Sequence, residues 1–294
     1  QLSVVIATTH PWPKSEECLD IVLPQLAAIN GEVLLADSSG AGLPEPVPDH
    51  LKSVRWIKAP GASVFHLRAI GTSAAKGQIV AWTEDHCRPA PDWCERIVEA
   101  HRAHPELAAI GGSVANASTT SNSDWANFLI TFGPFIAPID FAKTDRVPPP
   151  ANISFKRSAI PQGELRAGEI EFELKPRLQQ DKTIGVDDRI VVHHEQSRSF
   201  LESTLAHFHN GRSTSGLIAA QLSPESRRER LNHCFRLPRA IVRNVTEPLA
   251  GKASVEDALR KAMPVIRFFA VCHAAGEFWG LAFRSAGSSP IRLE

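Results

Sequence analysis

Two acids and an imidazole stand together where an apolar run stops, in Gln78-Ile-Val-Ala-Trp82-Thr83-Glu84-Asp85-His86. Carboxylate oxygens beside an imidazole nitrogen make a compact ligand set for a divalent cation. Alternation carried through the end of a strand points Glu84 and His86 to one side and Asp85 to the other. The plain alternative is a polar loop that caps the next helix. Three alternate glutamates, Glu169, Glu171 and Glu173, form a second acidic group. Clustered carboxylates raise one another's pKa, which suits a general base near neutral pH; the same pattern also describes the solvated start of a helix. His193 and His194 end a β-branched run, a place where histidine is ordinarily a polar terminus and in some settings a ligand. Cys87 and Cys94 lie near His86 but lack the short spacing of structural zinc sites, so zinc is not expected there.

These groups need a frame that brings strand ends together. Short β-branched runs at 2–7, 32–36, 54–57, 78–82 and 108–114 alternate with helix-length stretches at 15–30, 66–76 and 91–104. That rhythm predicts βαβ units around a mostly parallel, buried sheet, whose ligands bind beyond the carboxyl ends of the strands. Pro24 is expected to kink the first helix or end it near Leu23, and Asp92 to cap the helix that begins at Trp93. Segments 152–155 and 190–194 read as further strands, with a helix near 172–180 between them. After Ser199 the chain reads as helical and Arg-rich.

Several segments in this order resemble the N-terminal half of family 2 glycosyltransferases: SVVIATTHPWP, EVLLADSSG, APGASVFHLRAIG and GQIVAWTEDHCRPAPDWCERIVEAH. In the second half, Ala151-Asn-Ile-Ser-Phe-Lys-Arg157 resembles the family's acceptor-side strand. Glu171-Phe-Glu-Leu174 with Arg177-Leu178 is similar to its acidic helix, and Val191-Val-His-His194 to its closing strand. The resemblance spans roughly residues 2–215. It implies a GT-A fold, with a nucleotide-sugar-binding half at 1–115, an acceptor-binding half of the same domain at 116–199, and a C-terminal helical region at 200–294. It further implies an inverting transfer of a sugar from a nucleotide diphosphate to a hydroxyl acceptor, either a saccharide or a lipid-linked molecule, in polysaccharide or glycoconjugate biosynthesis.

The resemblance also assigns roles. Glu84, Asp85 and His86 stand where the family has its Asp-x-Asp metal motif, so a divalent cation is expected on Glu84 and His86, completed by His194. Imidazole tilts the choice toward Mn²⁺ over Mg²⁺. Asp37 matches the acid that pairs with the donor's base and would favour uracil; its plain alternative is a turn residue in Asp37-Ser-Ser-Gly40. Thr8 and Thr9 sit where base or ribose would lie. Arg68 is a donor-site cation or, alternatively, half of a surface ion pair of little worth. Glu171 falls on the catalytic carboxylate, with Glu173 two residues on. Two rivals are a catalytically silent sugar- or nucleotide-binding module and a nucleotidyltransferase. The latter would carry a Gly-rich basic loop after the first strand, whereas ATTHPWPK has no glycine and one lysine.

Composition narrows the classes further. The 294 residues hold 32 Lys and Arg against 32 Asp and Glu, so a whole-chain nucleic-acid partner is not expected. Five scattered cysteines form no disulfide framework. No run of ~18 uninterrupted apolar residues is found, so no membrane-spanning helix is expected. Leu2–Ala7 is too short for a signal core, and the expected setting is the cytoplasm or the inner membrane face. The stretch 225–243 holds six arginines against two glutamates and precedes an apolar, aromatic stretch at 264–283. Two expectations follow for these C-terminal helices: packing or homodimerisation, or peripheral contact with an anionic membrane.

Overall fold

A computed structural model describes residues 1–42, 44–139, 147–219 and 222–287. The chain divides into two compact units, residues 1–117 with 135–195, and residues 118–134 with 196–294.

The first unit is built on β1 (Leu2–Thr8), α1 (Glu16–Ala28), β2 (Glu32–Asp37), β3 (Arg55–Lys58), α2 (Val64–Ala74), β4 (Ile79–Glu84), β5 (Cys87–Pro89), α3 (Trp93–Ala103) and β6 (Ala109–Asn116). After α4 (Asn122–Phe132), which belongs to the second unit, come β7 (Ile153–Lys156), α5 (Lys175–Gln180) and β8 (Ile184–His194). The sheet order is β3-β2-β1-β4-β7-β6-β8-β5. β1 to β4 are mutually parallel, β7 runs antiparallel to both neighbours, β6 and β8 are parallel, and β5 closes the edge antiparallel to β8.

Every residue of β1 is buried, as a continuous apolar run covered on both faces should be. Gly71 lets α2 lie directly on β1, since a Cβ there would stand 2.5 Å from Val5 Cγ1. Trp82 and Phe155 meet edge-to-face at 5.2 Å in this core, and the Trp82 indole donates to Thr72 Oγ1 at 2.9 Å, so the large ring is buried without an orphaned N–H. Beyond β4, Asn152 fastens the sheet. Its amide accepts from Trp93 Nε1 and donates to the carbonyls of Ser113 and Ile190, beside a register irregularity at Gly112/Ser113.

Pro24 does not break α1, which runs unbroken to Ala28. Proline removes the donor that would reach Asp20 O and crowds the preceding turn, and the adjacent Gln25 side chain donates to Ile21 O at 3.1 Å. Gln25 also donates to Ala90 O and accepts from Cys94 N, which ties α1 to the start of α3. Asp92 does not cap α3 with its side chain; its carboxylate is drawn to Arg96 one turn on, at 2.9 Å. The helix expected near 172–180 is α5 preceded by a wider π-type turn over Ile170–Leu174.

In the second unit, α4 is followed by α6 (Phe200–Ala219), α7 (Pro224–His233), α8 (Leu237–Thr246) and α9 (Glu256–Phe283). A reciprocal Ser121–Asp124 capping box starts α4. Residues 118–134 group with this unit rather than with the 116–199 stretch, because α4 packs along α9. α9 has 28 residues and is long and apolar enough to cross a bilayer by length and composition, with Arg267, His273 and Glu277 interrupting its apolar run.

Candidate functional site

The carboxyl ends of β1 and β4 lie side by side, with Ala7 paired to Glu84. β1 also carries β2 on its other side, so the strand order reverses here and leaves a crevice beyond the strand ends. Glu84 emerges from β4, and β8 delivers His194 to the same place through the pairing of β5 with β8, Cys87 opposite His194.

Three ligand atoms meet in a small triangle. His86 Nε2 and His194 Nε2 are 3.0 Å apart, and Glu84 Oε2 is 3.4 Å from the first and 3.3 Å from the second. Two atoms each ~2.1 Å from one ion, at angles between square and tetrahedral, are ~3.0–3.4 Å apart. The triangle therefore has the size of three ligands around a single cation. The Cys87 sulfur completes a group of four donor residues within 4.8 Å of one another.

Asp85 turns away from this triangle. It is 3% exposed, and its Oδ2 accepts from Thr8 Oγ1 at 2.6 Å and meets His10 Nδ1 at 2.9 Å. Its Oδ1 lies 2.6 Å from His86 Nδ1. Asp85 thus grips the far nitrogen of His86 and leaves Nε2 facing Glu84 and His194, the carboxylate–histidine arrangement that orients a ligating imidazole. Burial alone would raise the Asp85 carboxyl, but the contacts with His10, His86 and Thr8 outweigh it and hold it well below the usual range. Glu84 follows the same logic: burial opposes ionisation, and His194, His86 and Arg68 together overcome it. Burial disfavours the His86 cation, yet Asp85 and Glu84 push its pKa up to about 9.

Arg68 joins Glu84 to the glutamate group. Its Nη2 is 2.7 Å from Glu84 Oε1 and its Nη1 is 3.4 Å from Glu171 Oε1, with the Arg68 side chain 7% exposed and Glu171 8%. This is a buried bridge, not a surface ion pair. Of the three alternate glutamates only Glu171 reaches Arg68; Glu169 and Glu173 both pair with Arg166 on the outside. The π-type turn gives the segment its wider winding at this point, and such single wide turns cluster at functional sites.

Thr8 joins the cluster through Asp85, whereas Thr9 is half-buried and takes no part in these contacts. Asp37 stands opposite Thr8 in the β1–β2 register. Its Oδ1 accepts from Ser39 N at 2.7 Å, closing the Asp37-Ser-Ser-Gly40 turn, and its Oδ2 accepts from the Trp56 indole at 3.3 Å.

Three participants escaped the sequence reading. His10 lies two residues beyond Thr8, as His86 lies two beyond Glu84, and that repeated spacing at two strand exits was the available signal. Cys87 was weighed only as a partner for Cys94, and the pairing of β5 with β8 is what brings it to His194. Lys175 is 6% exposed and donates to Pro148 O at 2.8 Å. Burial and the nearby Arg68 lower its pKa to about 8, against the pull of Glu171 and Glu84. It sits four residues after Glu171, one helical turn away and on the same face.

The comparisons with known proteins agree on the architecture. The solved structure of mannosyltransferase PcManGT from Pyrobaculum calidifontis, in complex with GDP-Man and Mn²⁺, superposes with a TM-score of 0.54 at 15% identity. That match covers 95% of this chain and 87% of the other. S. aureus TarS superposes with a TM-score of 0.50 at 10% identity, over 92% of this chain and 55% of TarS. No curated protein matches the chain in sequence. At such low identities the two structures show the fold alone: an α/β GT-A sheet with a C-terminal helical region. The model of glycosyl transferase family 2 matches residues 3–161 and so includes the strand ends that carry Thr8, Asp37, Arg68 and Glu84 to His86. With more than half of its residues inside that match, the chain belongs to glycosyl transferase family 2 and is a glycosyltransferase.

Proposed function

We propose that the protein transfers a sugar, with inversion, from a uridine diphosphate donor to a hydroxyl acceptor, using a divalent cation held by Glu84, His86 and His194. The observation that carries this reading is the triangle of Glu84 Oε2 and the two Nε2 atoms, sized for one ion and set at the reversal of strand order. Two imidazoles with one carboxylate suit Mn²⁺ better than Mg²⁺. When bound, such an ion neutralises the charge that builds on a departing diphosphate.

The protein's own groups do the rest. Asp85 fixes the His86 ring through Nδ1, and Arg68 holds Glu84 by Oε1 so that Oε2 faces the histidines. Asp37, at the end of β2 beside Thr8, has a free lone pair on each carboxylate oxygen to accept the imide N–H of uracil. Glu171 is the base: it takes the proton of the acceptor hydroxyl as that oxygen attacks the anomeric carbon and the bond to diphosphate breaks. Lys175 and Arg68 keep this acidic corner from being a cluster of carboxylates alone.

Thermal shift with uridine and guanosine diphosphate sugars, with Mn²⁺ or EDTA, tests the reading. A ligand bound only by the folded state raises the melting point. The expected result is stabilisation by a uridine diphosphate sugar that needs Mn²⁺ and disappears in Glu84→Ala. Equal stabilisation in EDTA would remove the metal from the reading, and a response to guanosine donors alone would reassign Asp37. Binding without sugar transfer or donor hydrolysis would make the chain a silent binding module.

A further inference from the structure

We propose that the second unit docks on an anionic lipid bilayer through the outer face of α9 and the groove between α8 and α9. The proposal stands apart from the transfer reaction, and its test needs no activity.

α9 is apolar on both sides. Its inner side is tightly packed: Ile266, Phe269 and Leu281 are buried, Phe269 stacks on His207 of α6, a Cβ at Gly276 would collide with the backbone oxygen of Phe208, and one at Gly280 would stand 2.7 Å from that of Arg212. Large residues also line its outer side. Phe268, Val271, Phe278, Trp279 and Phe283 are 43%, 55%, 42%, 46% and 61% exposed. Phe235, 75% exposed, adds its ring next to Phe278. A helix apolar on both faces normally has both faces covered, and a contiguous exposed aromatic strip marks a contact surface.

Charge says what covers it. Three guanidiniums, from Arg239, Arg243 and Arg267, ring the groove of about 540 Å³ over Val242 and Val271. Among the described residues, the one acid within 4 Å of any of them is Glu247, 3.8 Å from Arg243. The unit as a whole carries 14 Lys and Arg against 9 Asp and Glu, an excess of five positive charges. A second copy on this face would oppose like charges. An anionic bilayer offers phosphates to the arginines and hydrocarbon to the phenylalanines and Trp279 in one surface. The helix lies on that surface and does not cross it, since its other side is fixed to α6 and Arg267, His273 and Glu277 interrupt its length.

Cosedimentation of the full chain with vesicles tests this, comparing phosphatidylcholine containing about 30% phosphatidylglycerol with phosphatidylcholine alone, as NaCl rises from about 50 to 500 mM. The expected result is binding to the anionic vesicles that falls with salt, and little binding to the neutral ones. The triple variant R239E/R243E/R267E should partition on the order of 100-fold more weakly, with its circular dichroism melt unchanged because all three side chains are exposed. Brominated acyl chains should quench tryptophan emission in the parent and not in Trp279→Phe, which still binds. Equal binding to neutral vesicles, or none to either kind, would overturn the proposal. So would a lipid-free dimer, seen by sedimentation, that Trp279→Ser with Phe283→Ser dissolves.

Discussion

The two units break the inside–outside rule in opposite directions. The sheet unit buries charge: Asp85, Arg68, Lys175 and His194 are each under 9% exposed, with Arg68 and His194 on Glu84, Asp85 on His86, and Lys175 on the Pro148 carbonyl. The helical unit exposes apolar bulk on α9 and keeps its glycines inside. A protein gains little stability from either arrangement, because ionised groups are costly to desolvate and exposed aromatics give up their burial energy. The informative residues are therefore the buried polar and the clustered exposed apolar ones. In the sheet unit the departure gathers charged and ligating groups at the strand ends; in the helical unit it covers an outer surface.

The first way to sharpen this contrast is to neutralise the buried acid that touches Arg68. Glu171→Gln keeps shape but removes the proton acceptor, and turnover should fall on the order of 10²–10⁴, with donor affinity nearly unchanged by calorimetry. If the variant turns over normally while Glu169→Gln or Glu173→Gln is dead, the base lies outside the buried set. A product with retained anomeric configuration, read from proton coupling in NMR, would exclude the inverting mechanism itself.

Acid probes both units at once. Burial lowers the pKa of His101 in the sheet unit and of His207 in the helical unit to about 4 in each case. The unfolded chain protonates near the ordinary value of ~6.5, so between there and pH 4 it binds more protons than the folded one. Stability is then complete above pH ~6.5 and falls as the pH drops through the window, by on the order of 3 kcal/mol for each histidine. Urea titrations at pH 7 and 4.5 should show this loss, with about half of it removed by His101→Gln and half by His207→Gln. A loss untouched by both variants would place the acid sensitivity in the carboxylate cluster.

A smaller effect is expected at Asp85. Asp85→Asn should weaken Mn²⁺ binding by roughly 10–100-fold, the usual cost of losing a carboxylate behind a ligating histidine, as titration calorimetry would measure. Unchanged affinity would reduce Asp85 to a fastener between β1 and β4. The smallest effects belong to the exposed acids. Glu173→Gln and Asp92→Ala each remove one member of a solvated ion pair and should shift stability by no more than about 0.5 kcal/mol, with turnover kept.

Local pattern made the first four strands and their helices legible, because each parallel strand is a short apolar run and each helix a periodic one. The Glu84–Asp85–His86 group was legible for the same reason, since it interrupts such a run. What local pattern cannot carry is pairing between distant segments. The placement of β7 between β4 and β6, and the short β5 that holds Cys87 against His194, depend on contacts over about a hundred residues and have no signature of their own. Asp37 shows another limit: the turn it closes and the base it would read call for the same residue type. Asp92 departs from its local rule because Arg96 draws the carboxylate that the rule assigns to the helix backbone, and α1 continues past Pro24 to Ala28 instead of ending near Leu23.

The glycine contacts between α6 and α9 have a consequence for how the helix tolerates change. On one stripe, at Gly276 and Gly280, even a single methyl group meets the backbone of α6, and the helices would have to separate to admit it. On the opposite stripe, at 271 and 278, the side chains are 55% and 42% exposed, and a change of volume there meets far less resistance. Saturation mutagenesis scored for folded protein alone would therefore print two out-of-phase stripes along α9, each with a period near 3.6 residues: one intolerant of the smallest enlargement, the other almost indifferent. Scored for growth or surface attachment instead, the second stripe would change from permissive to selective.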